Sequence, residues 1–254
     1  MTTRIHDLLA VKAASQPDHP AIRELGGQDY SYAALQDAIR RLAADLADRG
    51  LRPGDRLLIL AENCAALVGL VMAASSLNAI AVPINARMTD HELHGISTHC
   101  DPRLIVYLGH VSDAARAHGA QAGAVNWATP LGDLLISAHP LAATPEAVRD
   151  DAEQIAVILY TTGTTGTPKG VMLSHANLIF GGTTSARMRN LVPGDLILGV
   201  LPMTHVFGLT SMMVGGFRPG RRCGCMRGFP RPPWSMRCRR ASPSCLRCRR
   251  STRW

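Results

Sequence analysis

Cysteine is nearly absent from the first 216 residues, where only Cys64 and Cys100 occur among the seven of the 254-residue chain. Two isolated thiols exclude a disulfide framework and fit a reducing compartment. An uninterrupted apolar leader is missing too, because Arg4, His6, Asp7 and Lys12 break up MTTRIHDLLAVKAASQPDHP. No signal peptide is expected. Residues 64–85 lack charge altogether, yet Ser75, Ser76, Asn78 and Pro83 lie inside them, and AIAVPIN reads as a strand. A membrane span needs roughly 20 mostly apolar residues in one helix. A buried helix followed by a buried strand is the better account, so no membrane span is expected and the chain is expected to be cytoplasmic. Two nucleotide signatures are also missing: no Gly-Lys pair occurs, which excludes a Walker A loop, and no G-x-G-x-x-G element is found.

The last absence divides the chain. Residues 217–254 contain no Lys, Asp, Glu or His, nor any Ile, Val, Tyr, Asn or Gln, but hold twelve of the 27 basic residues, all Arg. The remaining 15 basic and 19 acidic residues leave residues 1–216 at about −4, although the whole chain is +8. A basic-protein reading therefore applies to the tail alone. The chain is expected to comprise a partial globular domain over 1–216 and an unstructured tail over 217–254.

Within residues 1–216, helical and strand patterns alternate. Leu35, Ile39, Leu42 and Leu46 form an apolar stripe over 32–49, a helix that Gly50 should end. The turn Pro53-Gly54-Asp55 leads into a buried strand at 56–60. A helix over 64–77, a strand at 79–83, a helix near 90–99 and a strand at 103–107 follow. Strands separated by helices of this length imply βαβ units and an α/β fold with a mostly parallel sheet covered on both faces. Residues 139–153 read as a polar linker into a strand at 154–160.

That strand runs into TTGTTGTPKGVMLSH, residues 161–175. Gly163, Gly166 and Gly170 let the backbone turn sharply and approach a ligand closely. Thr161, Thr162, Thr164, Thr165 and Thr167 offer hydroxyls, and Lys169 adds a positive charge. Glycines, clustered hydroxyls and one lysine after a buried strand suit a polyphosphate; a Gly/Thr-rich surface turn is the alternative from the residues alone. Ser174 reads as the N-cap of a helix beginning near Ala176.

The sixteen residues YTTGTTGTPKGVMLSH resemble the phosphate-binding signature of the adenylate-forming superfamily, usually YTSGTTGxPKGV, with Thr162 in place of the commoner Ser. Residues 54–85 resemble the family's segment around its first core helix and strand, and LPMTHVFGL, 201–209, its second active-site segment. Matches in the expected order cover roughly 5–216. The resemblance implies the first part of the family's large N-terminal domain and an ATP-dependent acid–thiol ligase of the acyl-CoA synthetase kind. Such an enzyme uses ATP, Mg²⁺, coenzyme A and a small-molecule carboxylic acid. It also implies that residues 161–169 hold the β- and γ-phosphates and that His205 lines the acyl site. His175 is expected to be structural, and His91, His94 and His99 surface residues with no metal role.

The tail admits three readings. Cys223, Cys225, Cys238, Cys245 and Cys248 do not match the spacing of a standard zinc ribbon or finger. Twelve arginines suffice for loose nucleic-acid association, but no specific nucleic acid is expected as a partner. A frameshift in GC-rich DNA accounts for the Arg, Pro, Gly, Cys and Trp enrichment. Shifting the frame by codon logic permits ITVLSAVPAIYAL after a stretch compatible with RFSPAAVVDAL, both resembling the family's continuation. The codon argument favours the frameshift. A chain broken there is expected to be inactive as a ligase, at most a nucleotide-binding remnant, and to expose apolar surface around Met212, Met213 and Val214.

Overall fold

The computed structural model describes residues 4–24, 27–139, 144–149, 152–161, 168–191, 195–217 and the backbone of 222–225. Helix α1 (Ile5–Ser15) leads into a small antiparallel pair, β1 (Pro20–Arg23) and β2 (Asp29–Ser31). In α2 (Tyr32–Asp48) the Ser31 side chain caps the N-terminus by accepting from the Ala34 amide. The expected stripe of Leu35, Ile39, Leu42 and Leu46 is buried, and Gly50 adopts a φ of 91° just past the last turn. That left-handed position is where glycine costs least.

The central unit is β3 (Arg56–Ala61), α3 (Ala65–Ser76), β4 (Ile80–Asn85), α4 (Asp90–Cys100) and β5 (Leu104–Tyr107). Helix α5 (Asp113–Gln121), a hairpin of β6 (Val125–Thr129) and β7 (Gly132–Ala138), and β8 (Ile155–Thr161) follow. The chain then forms β9 (Lys169–Ser174), α6 (His175–Met188), β10 (Leu196–Gly199) and a short α7 (Val206–Gly208) that widens into a π-helical turn over Leu209–Val214. The large sheet runs β6-β7-β5-β3-β4-β8-β9. Its middle, β5-β3-β4-β8, is parallel, as the alternation of strands and helices requires. Its flanks β7, β6 and β9 are antiparallel, which helical spacing alone does not announce.

Both faces of the middle of the sheet are buried. Leu57 and Ile59 of β3 point into the core beside α2 and α3, while Leu58 and Leu60 point to the opposite core, shared with Ile96 of α4 and Ala115 of α5. This is the period of two expected of a strand. Every residue from Ala65 to Ser75 of α3 is buried, so this helix is apolar all round. It is only 12 residues long, and among the described residues no helix is long and apolar enough to cross a membrane. Gly69 lets α3 pack closely, since a Cβ there would overlap the side chain of Leu131.

Two expectations need correction. Met212, Met213 and Val214 are buried rather than exposed, because Gly182 of α6 lets the π-helical turn close against it: a Cβ there would sit 2.7 Å from Val214 Cγ1. The tail is not wholly outside the fold either. Phe217 is buried, edge-on to Tyr32 at 6.4 Å, and β11 (Arg222–Cys225) pairs in parallel with β10. Residues 226–254, with the five tail cysteines except Cys223 and Cys225, lie outside the described residues.

Candidate functional site

Strand β8 is apolar through Leu159 and ends on Tyr160 and Thr161. Strand β9 returns antiparallel from Lys169, so Thr161 stands opposite Lys169 and Tyr160 opposite Gly170. The motif read as a continuous loop thus begins at the end of one strand, and its second half is an edge strand of the sheet paired with it. Thr162, Gly163, Thr164, Thr165, Gly166 and Thr167 lie outside the described residues.

The two described ends of the motif are brought together. Lys169 is exposed, and among the described residues its ammonium has no hydrogen-bond or ion-pair partner. An exposed cation on a strand held by backbone pairing, with no counter-charge among the described residues, is available to an anion. Gly170 is needed beside it for close packing, because a Cβ would lie 2.9 Å from Ile158 Cγ2 and 3.4 Å from the Tyr160 ring. The hairpin is braced from α4. The Tyr160 hydroxyl lies 2.6 Å from His99 Nδ1, with the rings edge to face at 5.6 Å. Burial first, and then the nearby Cys100, pushes the Tyr160 hydroxyl well above the ordinary phenol range, so it stays protonated.

After β9, Ser174 caps α6 as expected: its hydroxyl accepts from the Asn177 amide at 3.2 Å and Asn177 Oδ1 accepts from the Ser174 amide. The helix starts at His175, one residue earlier than the sequence suggested. His175 itself is buried, accepting from the Ile5 amide at 3.3 Å. Burial, reinforced by Arg4 and His6, pulls its pKa down to about 4. It is a structural histidine. His91, His94 and His99 are exposed on α4, and among the described residues no three His, Cys, Asp or Glu gather into a metal-binding group.

His205 follows β10 and caps α7, its Nδ1 facing the Phe207 amide at 3.5 Å. The imidazole is exposed. No hydrogen bond joins it to Thr161 or Lys169, so it belongs to a second, separately held segment. Around both segments the surface is unusually apolar: Met172 on β9, Phe180 (73% exposed) on α6, Leu198 on β10 and Phe207 (56%) on α7 all face outward. One further residue, Asn63, was not singled out by any motif; it reaches from the end of β3 to the backbone leading into His205. Only three-dimensional contact reveals it, because 140 residues separate the two ends of that interaction.

Comparison with known proteins bears on what this arrangement is. The model of the family described as AMP-binding enzyme matches residues 9–246. The chain is 31% identical over 215 residues to 4-coumarate--CoA ligase 3 of Oryza sativa subsp. japonica, covering 80% of this chain and 38% of that protein. It is 33% identical over 194 residues to long-chain-fatty-acid--CoA ligase FadD13 of Mycobacterium tuberculosis, covering 74% of this chain and 38% of that one. The ATP-bound crystal structure of MatB from Rhodopseudomonas palustris shares the fold with a TM-score of 0.70 at 28% identity, covering 91% of this chain and 46% of that chain. The chain thus spans about two-fifths of the length of these curated relatives. With Thr161 and Lys169 paired at the two ends of a glycine- and threonine-rich stretch, an α/β sheet shared with solved relatives and a family match over nearly its whole length, the chain belongs to the AMP-binding, adenylate-forming enzyme family.

Proposed function

We propose that these residues form the phosphate-holding and acyl-site part of an ATP-dependent acid–thiol ligase. The observation that carries the reading is the pairing of Thr161 with an exposed Lys169 that has no partner among the described residues. The sequence between them, 162–167, supplies four more hydroxyls and two glycines. Such a set fits the terminal phosphates of ATP: backbone close approach from the glycines, hydroxyl donors from the threonines and one ammonium. That MatB was solved with ATP bound supports the choice of nucleotide.

The chemistry would run in two steps. A carboxylate oxygen of the acid attacks the α-phosphorus of ATP, forming an acyl-phosphate bond as the bond to pyrophosphate breaks. The coenzyme A sulfur then attacks the acyl carbon, AMP leaves, and the thiol proton is released. Mg²⁺, if bound with the nucleotide, would offset the charge of its phosphates. Lys169 and Thr161 hold the phosphates through both charge and orientation, and His205 lines the acid's side of the site. The protein's contribution is positioning and charge stabilisation. The names of the relatives range over aryl and long-chain fatty acids, so the proposal extends to a carboxylic acid and no further.

For the 254 residues on their own, a narrower reading applies: nucleotide binding without ligation. It is favoured by the exposed imidazole of His205 and the uncovered Phe180 and Phe207, since charge development needs a closed, water-poor site. We read residues 217–254 as out of frame. The test is carboxylate-dependent ATP–pyrophosphate exchange over a panel of fatty and aryl acids, run on this chain and on a protein with the frame after Gly216 restored. Exchange only in the restored protein is expected. Robust exchange by the 254-residue chain would overturn the narrower reading, and none in either would overturn the ligase reading.

A further inference from the structure

Residues 199–204 connect β10 to the turn that carries His205, and Leu201 and Pro202 within them are exposed. Such a stretch would be expected to wander. It is held instead by one side chain from far away in sequence. Asn63, in the loop between β3 and α3, donates from Nδ2 to the Gly199 carbonyl at 3.0 Å and the Leu201 carbonyl at 2.7 Å. Its Oδ1 accepts from the Met203 amide at 2.8 Å. Among the described residues no other side chain hydrogen-bonds to residues 199–204.

The fit is specific to a carboxamide. Two carbonyls and one amide must be met at once, which requires two donors and one acceptor on a single planar group. Asp supplies acceptors alone at neutral pH, and Leu supplies neither. The tethered stretch then closes on itself: the His205 amide donates to the Pro202 carbonyl at 3.1 Å. Gly208 packs so tightly that a Cβ would overlap the same carbonyl. Buried Met203 anchors the stretch from below. Asn63 itself sits on a rigid base, since β3 lies in the middle of the sheet and the α3 N-terminus is pinned by Glu24, whose carboxylate accepts from the Ala65 amide at 2.6 Å.

We infer that Asn63 is the positioning residue of the His205 segment, fixing the backbone from Gly199 to Met203 and through it the direction in which the imidazole is presented. Its consequence for catalysis rests on the reading of His205 as an acyl-site residue; the tether itself does not.

Hydrogen exchange read by mass spectrometry on the 254-residue chain tests the tether. In Asn63→Ala, amides of 200–205 should exchange roughly tenfold faster or more, as expected for losing several modest hydrogen bonds in one local unit. Peptides from β8 should keep their protection. Asn63→Asp, nearly isosteric, should show the same local loosening at neutral pH. Relative to the unaltered chain, that excess should shrink as the pH is lowered through about 4, where a protonated carboxyl regains a donor. Unchanged exchange at 200–205 in both variants, or loosening of β8 in parallel with them, would overturn the inference. A separate arm measures pyrophosphate exchange in the frame-restored protein. If His205→Ala leaves that activity intact, the acyl-site reading fails while the tether stands. If His205→Ala lowers it, Asn63→Ala should lower kcat with little change in the KM for ATP, and full activity in that variant would overturn the positioning role.

Discussion

His175 accepts a hydrogen bond from the backbone amide of Ile5, 3.3 Å away and 170 residues distant in sequence. The first helix is thereby fastened to the start of α6, which follows β9 in the chain. His6 stands edge-on to the same imidazole at 6.4 Å and meets Ser75 Oγ at 2.8 Å. The bond to Ile5 requires Nδ1 of His175 to be unprotonated, and burial keeps it so, lowering the pKa to about 4.

Acid should therefore unfasten this contact. A histidine whose folded pKa lies below its unfolded value of 6.5 contributes fully above pH 6.5 and loses that contribution as the pH falls toward 4. His6 is shifted in the same direction, mainly by burial. The chain should lose up to about 3 kcal/mol through His175 across this window. His175→Gln, which keeps an acceptor for Ile5, should flatten the fall in Tm between pH 6.5 and 4, leaving the part due to His6. An unchanged slope would remove His175 as its source.

Lys169→Ala should weaken ATP binding roughly 10- to 100-fold, the range for losing a charge-assisted contact. The fold should be unaffected, because the side chain is exposed and without a described partner. Calorimetric titration with ATP, beside a thermal melt of each protein, reads both quantities. Equal affinities would take Lys169 out of the phosphate site.

Exposed apolar groups should make the isolated chain self-associate. Phe180 and Met188 on α6 are 73% and 81% exposed, and Leu198 and Phe207 add to them from β10 and α7. Single exposed apolar residues are ordinary, but several on neighbouring elements mark a surface that is normally covered. Sedimentation should show concentration-dependent oligomers, and Phe180→Asp should raise the monomer fraction. A monodisperse monomer at all concentrations would contradict this.

Arg56 offers a test of the core. Its guanidinium, almost wholly buried, donates to the carbonyls of Cys100 at 2.8 Å and Asp101 at 2.9 Å and to that of Thr144. Arg56→Ala strands these acceptors and should cost about 3 kcal/mol. Cys100 reports the change, since burial pushes its thiol up to about 12 and keeps it unreactive in the folded chain. Peptide-resolved labelling of Cys100 near pH 8 should accelerate sharply in the variant; equal rates would show the contacts to be dispensable.

Much of this molecule is written locally. The stripe from Leu35 to Leu46, the left-handed stop at Gly50, the uncharged run that becomes α3 and β4, and the Ser174 cap depend on residues a few positions apart. So does the motif 160–175, whose glycines and hydroxyls specify chemistry by type and spacing. The linear pattern therefore determined the parallel centre of the sheet and the family, and it holds the motif proposed to bind phosphate. Tertiary structure decided the rest, because those features arise between residues far apart in the chain. Strand β9 exists only through pairing with β8, and the β6–β7 hairpin only by adding to the edge at β5. Met212, Met213 and Val214 are buried because Gly182 on another helix leaves them room. His175 is neutral because Ile5 and the surrounding core enclose it. The backbone before His205 is held by Asn63, a hydrogen-bonding match that no spacing along the chain encodes.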